Sequence, residues 1–207
     1  MEKEILIVDY GMGNLGSIYT MLKHLGIAAE ISSSAERIAD AGKIILAGVG
    51  AFDNGMRKIN GHGFTELLHK KVLQEKTPVL GICLGMQLMT QGSEEGTIPG
   101  LGWLTASTVR FQFADNPGRL KIPHMGWNIV QKNRESQLTA GLPQEARFYF
   151  VHSYHVICRQ QMDVLLRTHY GYDFPSAIQK GNIFGVQFHP EKSHRFGMQI
   201  LKNFAGI

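Results

Sequence analysis

Residues 77–91, TPVLGICLGMQLMTQ, place a cysteine between two glycines, Gly81 and Gly85, at the end of a short apolar run. Pro78, Val79 and Leu80 read as a buried strand, the Gly-Ile-Cys-Leu-Gly segment as a turn, and the residues from Leu84 onward as a helix. Small residues on both sides of Cys83 permit a strained turn that projects the side chain from the strand's carboxyl end. This is the thiol counterpart of a nucleophile elbow. A helix starting at Leu84 aims its N-terminus at the sulfur and favours the thiolate, which is the reactive form. Cys83 is therefore the candidate nucleophile, and a strand that feeds a helix through such a turn belongs to an α/β fold.

The same alternation continues upstream. Residues 4–9 (EILIVD) form a continuous apolar run closing on a carboxylate, the pattern of a parallel strand covered on both faces. Residues 11–16 (GMGNLG) turn the chain into a helix that ends near Leu25. A second strand follows over 27–33, and Ser34 caps a short helix. Residues 43–47 (KIILA) read as a third buried strand, with helical patterning at 53–58 and again at 64–75. The second half changes character. Segments 107–113, 127–131, 147–152, 164–170, 176–179 and 183–188 are short, β-rich and separated by turn signals such as Asn116-Pro117-Gly118, and 198–204 reads as a closing helix. The expectation is a doubly wound, mostly parallel central sheet of flavodoxin-like type, with antiparallel strands added in the C-terminal half. It forms a single domain over residues 1–207.

Composition narrows the function. With 207 residues, 43% hydrophobic and 18% charged, the chain is long enough to bury a real core. A formal charge of +4 is spread without a Lys/Arg cluster, which argues against nucleic acid. The two cysteines, Cys83 and Cys158, make no disulfide framework, and a reducing compartment suits them better. The apolar run at 5–8 is too short for a signal segment or a membrane span, so the expected location is the cytoplasm.

A thiol nucleophile needs a base, and the base needs an orienting group. Phe188-His189-Pro190-Glu191 directly follows a strand-like run, which puts His189 at a strand's carboxyl end, where sites in open α/β sheets gather. The two-residue offset lets Glu191 hold one imidazole nitrogen while the other faces the thiol. Gly48-Val49-Gly50 forms a glycine-rich turn at the end of another strand. The amide of Val49 or Gly50, with that of Leu84, makes a candidate oxyanion hole. Gln87 lies one helical turn beyond Cys83 on the same face, as a substrate-holding carboxamide or a solvated one. A rival motif competes with all of this. Gly11-Met12-Gly13-Asn14-Leu15-Gly16 is a literal G-x-G-x-x-G between strand and helix, with Glu30 near the spacing of a ribose-binding acid. Asp9 and Tyr10 intervene between the apolar run and the first glycine, and a dinucleotide site has no use for a cysteine elbow.

Gly81-Ile82-Cys83-Leu84-Gly85-Met86-Gln87 together with Phe188-His189-Pro190-Glu191 resembles the class I, triad-type glutamine amidotransferases. Further stretches carry the likeness along the whole chain: 9–15, 48–53, 149–154, 189–193, and Pro123-His124-Met125-Gly126-Trp127-Asn128. With these it is similar to the glutaminase subunits of imidazole glycerol phosphate synthases. The resemblance implies Cys83 as nucleophile, His189 as acid/base and Glu191 as its orienter, with Val49 and Leu84 as backbone oxyanion donors. It implies that Gly50, Gln87, Ser153 and Tyr154 hold L-glutamine. Asn14, Met125, Trp127, Tyr149 and Lys192 then face a (β/α)8-barrel cyclase subunit in a heterodimer, and neither cofactor nor metal is required. One position departs from the pattern: Ala47 stands where the family usually has proline, which frees φ and adds an N–H. Three alternatives stay open. They are a paralogous glutaminase serving a different synthase, a non-catalytic regulatory subunit, and a thiol peptidase or γ-glutamyl hydrolase.

Overall fold

A computed structural model describes residues 4–113 and 120–207; the turn signal at Asn116-Pro117-Gly118 lies outside them. Strand β1 (Ile5–Val8) is fully buried, and its side chains alternate between two cores. Ile5 and Ile7 pack with Leu15, Ile18 and Leu22 on one face, while Leu6 and Val8 pack with Ile38, Phe64 and Leu68 on the other. Helix α1 (Leu15–His24) starts at Asn14, whose Oδ1 accepts from Ser17 N at 3.4 Å. It stops before Gly26, which adopts φ +70°, a value only glycine takes without strain. After β2 (Ala29–Ser32), Ser34 caps α2 (Ala35–Asp40) by accepting from Arg37 N at 3.2 Å. Strand β3 (Lys43–Gly48) leads to α3 (Phe52–Gly61) and α4 (Phe64–His69), which runs on into a π-helical stretch, Lys70–Gln74.

Strand β4 (Val79–Cys83) corrects the expected turn over 81–85. Gly81, Ile82 and Cys83 remain in the ladder, paired with Leu46, Ala47 and Gly48, and the chain reverses at Cys83 itself. Helix α5 (Leu84–Leu88) has only five residues. Ala47 is thus an ordinary ladder residue opposite Ile82.

In the second half the described strands are β5 (Ala106–Arg110), β6 (His124–Ile129), β7 (Gln131–Lys132), β8 (Arg147–His152), β9 (Tyr154–Cys158), β10 (Val164–Tyr170), β11 (Tyr172–Lys180) and β12 (Ile183–Val186), closed by α6 (His194–Ala205). The main sheet runs β2-β1-β3-β4-β12-β11-β10-β7. Its first five members are parallel, so β12 corrects the expectation of an antiparallel addition: it lies beside β4, in register from Ile183↔Val79 to Val186↔Ile82. Both its neighbours and both its faces are covered, which explains the unbroken run Ile-Phe-Gly-Val. Strands β11, β10 and β7 are the antiparallel extension. The remaining four strands leave the sheet as two ribbons, β5 with β9 and β6 with β8. Sequence patterning had no strand at β9. Helices α1 and α6 cover one face of the sheet, and α2 to α5 cover the other. Among the described residues no helix is long and apolar enough to cross a membrane.

Candidate active site

The parallel strands β3, β4 and β12 end side by side, and their carboxyl ends deliver the three segments that sequence patterning had singled out. At the end of β4, Cys83 takes φ +53° and ψ −109°, a strained backbone for a residue with a Cβ. The strain is held by close backbone packing. A Cβ on Gly85 would lie 1.6 Å from Leu46 O, and one on Gly81 would lie 2.7 Å from Met86 N. Those two glycines let α5 sit directly on β3 and β4. Cys83 is only 6% exposed, on the wall of a cavity of about 420 Å³, so the thiol is recessed rather than displayed.

Past β12, His189 and Glu191 occupy a 3₁₀ turn, Pro190–Lys192, that precedes α6. His189 Nδ1 lies 2.7 Å from Glu191 Oε1, and both side chains are buried. A carboxylate only accepts, so Nδ1 carries the proton and Nε2 is the free nitrogen, without a hydrogen-bond partner among the described residues. Burial pushes the imidazole's pKa down, but Cys83 and Glu191 together outweigh it and raise the value to about 10. The arrangement therefore favours an imidazolium beside the cysteine. The turn is anchored from outside: His189 N donates to Tyr149 O (2.9 Å), Ser193 Oγ donates to His189 O (2.6 Å), and Tyr149 N donates to Ser193 Oγ (3.0 Å).

Val49 follows the last ladder pair, Gly48↔Cys83, so the chain leaves β3 opposite the nucleophile candidate. Val49, Gly50 and Leu84 line the cavity with Cys83, as do Gln87, Ser153 and Tyr154. Gly50 adopts φ +112°, open to glycine alone. Gln87 is 5% exposed, and its Nε2 donates to Tyr154 O at 3.0 Å and to Gln187 Oε1 at 3.2 Å, so its amide group is already engaged in scaffolding. The 11–16 loop packs on the candidate oxyanion segment, with a Cβ on Gly13 reaching within 3.1 Å of Gly48 Cα. Glu30, the supposed ribose ligand, accepts from Arg37 Nε at 2.8 Å.

The five partner-facing candidates lie on β6, on β8, in the turn after His189 and at the start of α1. Met125 (62% exposed) and Trp127 (45%) project from β6 with Ile129 (50%), a third apolar residue on the same face that motif reading missed. Tyr149 stands opposite Trp127, and Lys192 Nζ lies 5.5 Å from the Tyr149 ring centroid. Asn14 shares a groove with Glu191 on the other flank.

Other residues were not legible beforehand. Glu95 lines the cavity, and its Oε2 accepts from Phe52 N at 2.8 Å. Gln187 is fully buried next to the sulfur; its signal was a lone polar residue closing an apolar strand run. Tyr10 is fully buried, its hydroxyl lacks a partner among the described residues, and burial followed by the charge of Cys83 raises its pKa. His152, on the cavity wall, sits with His124 and His155 behind it in an aromatic cluster with Phe111 and Phe174. Asn128 Nδ2 donates to His124 Nε2 (3.2 Å), which leaves His124 Nδ1 to donate to His152 Nε2 (3.2 Å) and His152 Nδ1 to Tyr154 O (2.8 Å). That chain is consistent only with neutral rings. Burial accordingly depresses all three, His124 and His155 to about 4. Cys158, a buried free thiol on β9, is pushed up to about 12, chiefly by burial.

The model of the class-I glutamine amidotransferase family matches residues 6–206. Imidazole glycerol phosphate synthase subunit HisH 2 of Methanococcus maripaludis is 52% identical over 200 residues, covering 97% of this chain and 98% of that one. Subunit HisH 2 of Pseudomonas aeruginosa is 47% identical, covering 98% and 99%. Among solved structures, PurLQS from Thermotoga maritima superposes with a TM-score of 0.74 at 17% identity, covering 100% of this chain and 99% of that one. The crystal structure of a glutamine amidotransferase gives 0.69 at 22% identity, covering 98% and 99%. At those identities the two structures share the fold.

Proposed function

The chain belongs to the class-I glutamine amidotransferase family, and we propose that it is the glutaminase subunit of an imidazole glycerol phosphate synthase. The observation that carries the chemistry is the recessed Cys83 beside a buried, hydrogen-bonded His189–Glu191 pair, at one wall of a cavity sized for a small substrate. In this reading the Cys83 thiolate attacks the side-chain amide carbon of L-glutamine. The oxyanion sits between the amides of Val49 and Leu84. His189 Nε2–H gives its proton to the leaving nitrogen, ammonia departs, and a γ-glutamyl thioester remains. The same nitrogen then removes a proton from water, and glutamate is released. Glu191 keeps the ring in register and offsets its charge. Glu95, on the cavity wall, supplies a negative charge suited to the substrate's α-ammonium group, and Gly50, Ser153 and Tyr154 supply backbone contacts.

Ammonia in neutral water is mostly protonated and is then not a nucleophile, so it must be delivered under cover. The exposed strip Met125, Trp127 and Ile129, with Tyr149, Lys192 and Asn14, is the face we assign to the barrel-shaped cyclase subunit. Apolar aromatic anchors with a polar rim suit a stable interface. There the ammonia would serve synthesis of imidazole glycerol phosphate. The test is Cys83→Ala in the reconstituted complex. Glutamine-dependent turnover should vanish while ammonia-dependent synthesis persists; retained glutaminase activity would overturn the assignment. A pull-down that recovers a synthase other than the barrel cyclase would overturn the choice of partner.

A further inference from the structure

Gln187 closes β12's apolar run just before the Phe188-His189 step, and none of the chemistry above uses its side chain. It is fully buried, yet its Nε2 lies 3.7 Å from Cys83 Sγ in hydrogen-bonding geometry. A carboxamide can face a sulfur with either end, and the surrounding bonds decide which. Tyr154 O can only accept, so the group of Gln87 that meets it at 3.0 Å is the NH2 group. That same NH2 meets Gln187 at 3.2 Å, so the Gln187 atom there is the accepting oxygen. The end left for the sulfur is therefore the donor. The backbone adds a further constraint, because Gln187 N donates to Ser176 O at 2.9 Å.

We propose that Gln187 is a catalytic residue that stabilises the Cys83 sulfur as a charged nucleophile through its side-chain N–H, with Gln87 as the positioning residue that locks the amide in its donating orientation. The proton on His189 comes and goes as the ring transfers it. The carboxamide donor does not titrate and stays in place through both half-reactions. It favours sulfur as nucleophile in the first step and as leaving group when the thioester is hydrolysed. A hydrogen bond to an ionised acceptor is worth roughly a tenfold shift toward the charged form, or more.

The inference rests on the glutaminase reading, but its test does not need glutamine or a partner. The charged and titratable groups around the sulfur are His189 with Glu191 behind it, Tyr10 from the β1 side, and His152 and Glu95 on the cavity wall. All of them are kept constant when only position 187 changes. The free protein is alkylated with iodoacetamide between pH 5 and 9, with mass spectrometry separating the Cys83 and Cys158 peptides. Relative to wild type, Gln187→Met should slow Cys83 alkylation at pH 7 roughly tenfold and move the midpoint of the pH curve upward. Gln187→Glu keeps an acceptor for Gln87 but turns a carboxylate oxygen on the sulfur, and it should slow the reaction further. A folded Gln187→Met protein with the wild-type rate and profile overturns the proposal. If that variant does not fold, the near-isosteric Gln187→Glu decides by the same criterion. If neither folds, the Gln187 side-chain amide resonances of wild type must move when Cys83 is alkylated, and unmoved resonances overturn it. A wild-type subunit that shows no glutaminase activity in the reconstituted complex, but whose alkylation still depends on Gln187, would remove the functional reading and keep this one. Activity with indifferent alkylation would do the reverse.

Discussion

Acid should destabilise this protein well before its carboxylates titrate, because it stores neutral histidines behind the active-site wall. His124 and His155 are buried and hold folded-state pKa values of about 4, against an ordinary value of 6.5. Above pH 6.5 both the folded and unfolded chains carry these rings neutral, and they contribute nothing to pH dependence. As pH falls below 6.5 the unfolded chain takes up protons that the folded one refuses, so stability declines until about pH 4. Between pH 7.5 and pH 5 this costs about 2 kcal/mol for each ring. His189 works in the opposite direction. With its folded value raised to about 10, its contribution is complete below 6.5, is lost as pH rises toward 10, and returns roughly 1.4 kcal/mol over the same interval. The net loss is about 2–3 kcal/mol, and His152, also depressed by burial, adds to it. Urea unfolding at matched ionic strength, followed by the fluorescence of the buried Trp103, measures it directly. His155→Gln keeps a hydrogen-bonding group for the Tyr172 hydroxyl, 2.8 Å from His155 Nε2, and should remove about 2 kcal/mol of the difference. An unfolding free energy that is flat or rises from pH 7.5 to 5 would refute the reasoning.

Replacing Glu191 by Gln leaves the turn's shape but removes the charge that orients His189; glutaminase kcat in the complex should drop by about 10³–10⁴ with little change in KM, measured by glutamate release. Tyr10→Phe deletes a hydroxyl that is buried without a partner among the described residues, so the unfolding free energy should hold or rise by about 1 kcal/mol; a clear fall would contradict that environment. Gly197→Ala would place a Cβ 1.8 Å from Pro190 O, forcing α6 off the turn that carries the base, and should cost more than about 3 kcal/mol in urea unfolding. Wild-type stability in that variant would show that the helix can slide at no cost.

The elements legible in the sequence were those whose pattern has one physical reading. The continuous runs at 5–8 and 43–47 could only be two-faced strands, and Ser34 before Ala35-Glu36-Arg37 announced its own cap. The cysteine between glycines and the His-Pro-Glu step were readable because each needs unusual backbone, and the fold sets them at adjacent strand ends. Parallel pairing of β12 was missed because its unbroken apolar run sits among short segments separated by turn signals, which read together as antiparallel strands. The ribbons escaped for another reason: segments such as 127–131 and 147–152 read as strands, but a strand's pattern does not state which sheet it joins. Gln187 was hidden by being polar where only apolar residues were expected, and its importance depends on a residue a hundred positions away.

The glycines at 81, 85 and 197 have a consequence for how this site tolerates change. Each marks a place where main chain rests on main chain, at Met86 N, Leu46 O and Pro190 O. The spacing of nucleophile and base is therefore gauged by peptide groups, whose dimensions are the same in every sequence, and not by the volumes of core side chains. Repacking the hydrophobic layers can loosen the molecule as a whole while the sulfur and the imidazole keep their separation. The machinery has a hard datum, and its tolerance stack contains no adjustable parts.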